Sequence, residues 1–222
     1  MPGIPPQPAP PPHVALLDLD AGNVRSVANA LTHLGVDYAL VRTPEALAGA
    51  TRIILPGVGA FAALMEKLRD RGMIPALEAA VLGQGVPFLG ICVGMQVLCD
   101  VGLEFGETPG LGWIPGRCGP LNGARDAGLP VPHVGWNDVE PAVGRPLDPL
   151  LAGTTADDRV FYYVHSFHVE TADPDHVVAT SSYGQAVTAM MRRGHIAGVQ
   201  FHPEKSQTAG LQLLRAFALA NP

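Results

Sequence analysis

The cysteine best placed for nucleophilic chemistry lies between two glycines, in the segment Gly90-Ile91-Cys92-Val93-Gly94. The apolar run at 87–91 predicts a buried strand that ends at Cys92, and helical periodicity follows it. This strand–turn–helix arrangement is a nucleophile elbow with cysteine in place of serine. The turn would hold the sulfur at the carboxyl edge of a sheet, next to a helix N-terminus whose dipole favours a thiolate. Taken alone, the pattern fits a buried structural cysteine equally well.

A candidate general base follows the last predicted core strand, in the segment Gln200-Phe201-His202-Pro203-Glu204-Lys205-Ser206. His202 can take the thiol proton and later deliver it to the leaving amine. Glu204 can fix the tautomer of the imidazole and support the imidazolium, which gives a Cys-His-Glu triad. A His-Pro-Glu sequence is also compatible with an ordinary polar strand end.

A glycine turn between a predicted strand and a predicted helix, Leu55-Pro56-Gly57-Val58-Gly59-Ala60-Phe61, could supply an oxyanion hole. In a parallel sheet such a loop lies at the same carboxyl edge as the elbow. The hole would combine the backbone N–H of Val93 with an N–H from this loop. The alternative is a plain strand-to-helix turn. A phosphate loop is not indicated, because neither GxxxxGK[ST] nor a GxGxxG that opens a helix is present.

From residue 13 onward the chain alternates between short apolar runs and helical periodicity. Helices are predicted to begin near residues 24, 60 and 74, and another closes the chain with Leu211, Leu214 and Phe217 in the core. The predicted strands lie at 14–19, 37–41, 52–56, 87–91, 113–119, 133–140, 159–164, 177–182, 186–191 and 195–201. This alternation predicts an α/β fold: an open, mostly parallel, flavodoxin-like sheet with helices on both faces and antiparallel edge strands. Residues 1–12 are expected to form a flexible proline-rich tail and residues 13–222 one domain.

The composition excludes several classes of function. The chain has 222 residues, is 47% hydrophobic and 15% charged, and carries a formal net charge of −6 without a basic cluster. Nucleic acid is therefore not an expected partner. No apolar run is long enough to span a membrane, and the N-terminus lacks the features of a secretory signal. We expect a cytoplasmic protein.

The histidines and cysteines do not form a metal-binding pattern. Cys92, Cys99 and Cys118 are an odd number of cysteines with no spacing typical of disulfide frameworks or zinc sites. His165 and His168 lie in a strand-like stretch without a third ligand at useful spacing. We expect neither a metal nor another cofactor.

Five segments, LPGVGAF, GICVGMQ, PHVGWN, FYYVHSF and GVQFHPEKSQ, occur in this order between residue 14 and the C-terminus. Together they resemble class I, triad-type glutamine amidotransferases. Within that family they resemble the glutaminase subunits of imidazole glycerol phosphate synthases. Related glutaminases of anthranilate, purine, guanylate or pyridoxal phosphate synthesis share the triad, but they usually differ in the oxyanion loop and after His-Pro-Glu.

The resemblance implies a function and a role for individual residues. Cys92 would form a glutamyl thioester, with His202 as general base and then acid and Glu204 as its orienter. The ammonia would pass to a (β/α)₈ cyclase subunit in a heterodimer, which forms imidazole glycerol phosphate and aminoimidazole carboxamide ribonucleotide in histidine biosynthesis. The implied glutamine-binding residues are Gly57, Val58, Gly59, Val93, Gln96, Ser166 and Phe167. The residues implied to face the cyclase are Asn23, Trp136, Tyr162 and Lys205.

The sequence departs from the family pattern at three places. The stretch at 18–23 reads Asp-Leu-Asp-Ala-Gly-Asn instead of Asp-Tyr-Gly-x-Gly-Asn, in a loop expected to border the partner. Val93 replaces a common leucine but keeps the backbone donor. Phe167 replaces a frequent tyrosine, which removes one hydroxyl group.

Three other functions remain open at this point. A glutaminase of another pathway would copurify with a different synthase. A catalytically silent subunit on the same fold would leave Cys92 unlabelled by a glutamine analogue. A cysteine hydrolase would cleave peptides without any partner.

Overall fold

A computed structural model of the protein describes residues 13–20 and 23–219; the predicted tail at 1–12 lies outside them. The first strands are β1 (Val14–Leu17), β2 (Tyr38–Val41), β3 (Arg52–Gly57), β4 (Phe88–Cys92), β5 (Val101–Gly102), β6 (Thr108–Pro109) and β7 (Gly116–Pro120). The others are β8 (His133–Asp138), β9 (Glu140–Pro141), β10 (Val160–His165), β11 (Phe167–Thr171), β12 (Val177–Ser182), β13 (Ala186–Arg193) and β14 (Ile196–Val199). The α-helices are α1 (Val24–His33), α2 (Phe61–Asp70), α3 (Met73–Glu78), α4 (Val93–Gln96), α5 (Asn122–Asp126) and α6 (Gln207–Leu219).

The centre of the fold is a sheet with the strand order β2-β1-β3-β4-β14-β13-β12-β9. The strands from β2 to β14 run parallel, and β13, β12 and β9 continue the sheet antiparallel. The parallel strands β1, β3, β4 and β14 are buried along their whole length. Such strands must be covered on both faces, and their continuous apolar runs were readable in the sequence for that reason. The predicted α/β fold with antiparallel edge strands is confirmed.

Helices cover the two faces of this sheet. The chain moves outward from β1 to β2 through α1 and in the opposite direction from β3 to β4 through α2 and α3. Right-handed crossovers then place α1 on one face and the α2–α3 pair on the other. The closing helix α6 packs against α1, with Leu214 and Phe217 buried and Leu211 partly buried. None of the described helices has the length and apolar character needed to cross a membrane.

The middle of the chain forms two smaller sheets beside the central one. Strands β8 and β10 pair as an antiparallel two-stranded ribbon, and β11, β7, β5 and β6 form a second sheet. The sequence predicted a strand at 159–164, which corresponds to β10, and did not predict β11 as a separate strand. Ser166 divides the stretch, and β10 pairs with β8 whereas β11 pairs with β7. The choice of pairing partner is not encoded in the periodicity of either strand.

Candidate active site

Cys92 stands at a tight turn between β4 and α4 and is 3% exposed. Its φ of 55° and ψ of −111° are unusual for a residue with a side chain, as at other strained functional positions. A Cβ added at Gly90 would come within 2.3 Å of Gly94 O, and one added at Gly94 within 2.0 Å of Leu55 O. Side chains at either position would therefore push the turn away from the neighbouring backbone.

His202 follows β14, the strand that pairs with β4, so it reaches the same edge of the sheet as Cys92. Its Nδ1 donates to Glu204 Oε1 at 2.7 Å, and both side chains are fully buried. Burial alone lowers the pKa of His202, but the interactions with Cys92 and Glu204 outweigh it and raise this pKa to about 9. His202 Nε2 makes no hydrogen bond among the described residues, although the imidazole lies close enough for the thiol to influence its pKa. The three triad residues predicted from the sequence thus meet in one place.

Asn23 holds the carboxylate of this triad. Its Nδ2 donates to Glu204 Oε1 at 3.2 Å, the same oxygen that accepts from His202. Asn23 is 3% exposed and precedes α1, yet its side chain makes no capping bond to the helix. Asparagine at this position usually caps the helix. Here the amide orients Glu204 instead. The sequence assigned Asn23 to the partner interface and missed this contact.

Replacing Asn23 tests that contact. We expect Asn23→Ala to lower kcat for glutamine hydrolysis about tenfold or more, because a buried hydrogen bond to a charged group contributes roughly 1.5–3 kcal/mol. Steady-state glutamate release measures the effect. The control is Asn29→Ala, an exposed position on the same helix, which should leave kcat unchanged. Equal rates for the two variants would contradict the role of Asn23.

A cavity of about 280 Å³ opens beside Cys92. Its size suits a ligand smaller than the usual drug-sized molecule, such as a single amino acid. The predicted glutamine-binding residues along it are Val58, Gly59, Val93, Gln96, Ser166 and Phe167. Gly57 is not in the wall; it lies on β3, paired in register with Cys92 on β4.

A chain of side-chain amides joins the cavity wall to the nucleophile. Gln96 Nε2 donates to Phe167 O at 3.0 Å and to Gln200 Oε1 at 3.1 Å. Gln200 Nε2 lies 3.6 Å from Cys92 Sγ and donates to it. Gln200 is fully buried, and the sequence gave it no role although it directly precedes Phe201 and His202.

Glu104 is a further cavity residue that the sequence did not predict. Its Oε2 accepts from the backbone N–H of Phe61 at 2.9 Å, where α2 begins after the glycine turn. The carboxylate thereby links the loop between β5 and β6 to the candidate oxyanion loop. A carboxylate in the wall also suits the ammonium group of an amino acid. The sequence around Glu104 contains no pattern that distinguishes it from a solvent-exposed glutamate.

Three of the four predicted interface residues share one surface. Trp136 on β8 is 48% exposed and lies opposite Tyr162 on β10, with ring centroids 5.9 Å apart. Lys205 Nζ stands 5.7 Å from the centroid of the Tyr162 ring. Asn23 differs from them because its side chain is buried in this chain.

Comparison with known proteins identifies relatives along almost the whole chain. The family model described as glutamine amidotransferase class-I matches residues 15–221. The chain is similar to imidazole glycerol phosphate synthase subunit HisH of Zymomonas mobilis, with 46% identity over 213 residues, 94% of this chain and 96% of the relative. It is also similar to the subunit of the same name in Salinibacter ruber, with 44% identity over 207 residues, 91% of this chain and 92% of the relative.

Solved structures resemble the fold. A crystal structure of a glutamine amidotransferase superposes with a TM-score of 0.67 at 23% identity and covers 92% of this chain and 96% of its own. The structure of PurLQS from Thermotoga maritima superposes with a TM-score of 0.68 at 18% identity and covers 94% and 98%. At these identities the likeness concerns the fold.

Proposed function

This chain belongs to the class-I glutamine amidotransferases, and from that premise we propose that Cys92, His202 and Glu204 carry out its chemistry. The chain is a glutaminase subunit of imidazole glycerol phosphate synthase. This subunit hydrolyses glutamine to glutamate and ammonia in histidine biosynthesis. One observation supports the assignment of the catalytic residues above all others. The buried His202–Glu204 pair, bonded at 2.7 Å, lies next to Cys92 beside a cavity that suits a single amino acid.

The first half of the reaction transfers the glutamyl group to sulfur. His202 takes the proton of the Cys92 thiol at Nε2, and the sulfur attacks the side-chain amide carbon of glutamine and forms a C–S bond. The backbone N–H of Val93 and an N–H of the loop at 57–59 stabilise the negative oxygen of the tetrahedral intermediate. The His202 imidazolium then donates its Nε2 proton to the amide nitrogen, so ammonia leaves and a thioester remains.

The second half releases glutamate. The now neutral His202 takes a proton from a water molecule, whose oxygen attacks the thioester carbon. The C–S bond breaks, glutamate departs, and Cys92 and His202 return as thiolate and imidazolium. Glu204 and Asn23 hold the imidazole in one tautomer and one orientation during both halves.

The other cavity residues would select glutamine. Gln96 and the backbone of Ser166 and Phe167 would hold the α-amino and carboxylate end, and Glu104 would attract the ammonium group. The small cavity does not suit an extended peptide. No described feature favours a silent subunit or a peptide hydrolase over glutamine hydrolysis.

The relatives are named as subunits of a synthase, which supports a complex with a further synthase subunit. We propose that this partner is a (β/α)₈ cyclase subunit in a heterodimer that receives the ammonia. The surface formed by Trp136, Tyr162 and Lys205 supports this face as the docking site, because Trp136 and Lys205 are exposed and Tyr162 is partly exposed between them. We further propose a cytoplasmic location, which suits three free cysteines.

The decisive experiment measures glutamate release from glutamine by the chain alone and then with the cyclase subunit and its nucleotide ligand. We expect a large increase only in the full mixture. Turnover that ignores this partner but rises with a different synthase would overturn the proposed partner and leave the glutaminase chemistry standing. Absence of turnover in every mixture would overturn the chemistry itself.

The pH profile tests the role of Glu204. Because the pKa of His202 is raised to about 9, the imidazolium needed to protonate the leaving ammonia is present below that pH and is lost above it. The His202–Glu204 pair also stabilises the folded state against unfolding. Its contribution to the free energy of unfolding is complete below about pH 6.5, the usual histidine pKa, and is lost as the pH rises through about 9. We expect Glu204→Gln to move the alkaline limb of kcat/KM to lower pH by about one unit or more. An alkaline limb that does not move would argue against the ion pair.

A further inference from the structure

Two buried histidines, one in the wall of the glutamine cavity and one behind it, take no part in the triad. His133 on β8 and His165 on β10 are opposite each other in register and are 3% and 5% exposed. Burial lowers the pKa of His133 to about 4 and that of His165 to about 3. Both imidazoles are therefore neutral at physiological pH. Among the described residues, no group of three or more His, Cys, Asp or Glu side chains could hold a metal ion, so the pair calls for another explanation.

The hydrogen bonds of the pair run in one direction. His165 Nδ1 lies 2.9 Å from Phe167 O, and because a carbonyl oxygen can only accept, Nδ1 carries the proton. Neutral His165 then accepts at Nε2, from His133 Nδ1 at 3.0 Å. His133 in turn accepts at Nε2 from Asn137 Nδ2 at 3.4 Å, and Asn137 Nδ2 also donates to Ser182 O at 2.9 Å. Each imidazole is thus fixed as the tautomer protonated at Nδ1.

Two tyrosine rings hold His133 in place. Its ring stacks on Tyr183 with centroids 3.9 Å apart and on Tyr163 with centroids 4.8 Å apart, at interplanar angles of 20° and 22°. The Tyr163 hydroxyl is itself hydrogen-bonded to Ser181 Oγ at 2.6 Å. Stacking on the two tyrosine rings fixes the plane of the His133 imidazole, and the hydrogen bonds to His165 and Asn137 fix which nitrogen faces His165.

The chain of donors ends at the cavity wall. Phe167 O accepts from His165 Nδ1 and also from Gln96 Nε2, so one carbonyl group joins the histidine pair to the residue proposed to hold glutamine. Phe167, Gln96 and His165 all lie along the cavity. Losing the histidine donor would leave this carbonyl free to turn, and Gln96 would lose its fixed partner.

We propose that His133 and His165 are positioning residues for glutamine binding, which act by fixing the Phe167 carbonyl and, through it, Gln96. This inference rests on the proposed function, because it concerns the affinity of the same cavity for glutamine. The hydrogen bonds that join His202, Glu204 and Asn23 do not involve either histidine of the pair, and Gln96 reaches the Cys92 sulfur only indirectly, through Gln200. The effect should therefore fall on KM and leave kcat nearly unchanged.

Two substitutions of His133 separate positioning from simple packing. The side-chain nitrogen of asparagine is bonded to Cγ, like Nδ1 of histidine. His133→Asn therefore retains a hydrogen-bond donor toward His165. Glutamine carries its nitrogen one bond farther out, near the position of Nε2, so His133→Gln leaves His165 Nε2 without that donor. In the complete complex we expect His133→Gln to raise KM for glutamine about tenfold with kcat within about twofold of the unchanged protein, because an acceptor in the buried network is left unpaired. His133→Asn should keep KM within about threefold.

The outcomes separate this inference from the proposed function. If the wild-type complex releases glutamate and the Cys92→Ala complex does not, the proposed function stands. The KM values for glutamine of the two His133 variants then test the positioning role of the histidines. Equal KM values for the two His133 variants, or a loss in kcat alone, would overturn the positioning role.

A measurement on the unchanged protein covers the case in which the variants do not fold or the complex does not turn over. ¹⁵N NMR of the imidazole nitrogens should show both rings protonated at Nδ1 and bare at Nε2 between about pH 6 and pH 8. A proton at Nε2 of either ring would be incompatible with the series of hydrogen bonds from Asn137 through His133 and His165 to Phe167 O, and it would overturn the proposal.

Discussion

Cys92→Ala should abolish glutamate release, with kcat at least about 10⁴-fold lower than that of the unchanged complex. Removal of a nucleophile from a catalytic triad costs up to about 10⁶-fold in a well-studied serine enzyme, because no other group can form the covalent intermediate. Among the described residues that line the cavity, Cys92 carries the only sulfur, and its thiol is the one that interacts with His202. The assay is glutamate formation by the complex with its nucleotide ligand.

The control for this prediction is Cys99→Ala. Cys99 is buried, and burial raises the pKa of its thiol to about 12, so it remains a protonated, inert side chain. This variant should turn over at nearly the normal rate and should still be labelled at Cys92 by a glutamine analogue that alkylates thiols. Residual turnover of Cys92→Ala near the normal rate would require a different nucleophile and would refute the mechanism.

Gly94→Ala should lose both stability and activity. The added Cβ would lie 2.0 Å from Leu55 O, which belongs to β3, so α4 and the start of the turn would have to move away from the sheet. Overpacking of this kind costs about 1–3 kcal/mol and sometimes more, and contact with rigid backbone places Gly94 at the upper end. Displacement of the Val93 N–H by about 1 Å should also lower kcat about 100-fold.

Gly83→Ala is the matched control for Gly94→Ala. Gly83 has no unusual φ, and its nearest contact for an added Cβ is Glu78 O at 3.9 Å, an ordinary separation. Urea denaturation should show a lowered midpoint for Gly94→Ala and an unchanged or raised one for Gly83→Ala. A Gly94→Ala variant as stable and as active as Gly83→Ala would show that the turn tolerates a side chain.

The sequence by itself predicted the strands of the parallel sheet, most of the helices around it and the residues proposed for the triad. Buried parallel strands appear as apolar runs, and the chain must then turn sharply between glycines at Cys92. His202 and Glu204 were predicted as partners because they are two residues apart at the end of such a strand, a spacing that survives any arrangement of the rest of the chain. Boundaries were less exact: the strand predicted at 14–19 ends at Leu17.

Only the tertiary structure decided which distant side chains meet. Asn23 contacts Glu204 across 181 positions in the sequence, and Glu104 contacts the Phe61 backbone across 43. His133 and His165 pair because β8 and β10 form their own ribbon, which the sequence did not distinguish from the edge of the central sheet. The physical reason is that periodicity and turn residues act over a few neighbours in the chain. The partners of a buried polar atom depend instead on how whole elements pack, since every such atom needs a donor or acceptor wherever the fold provides one.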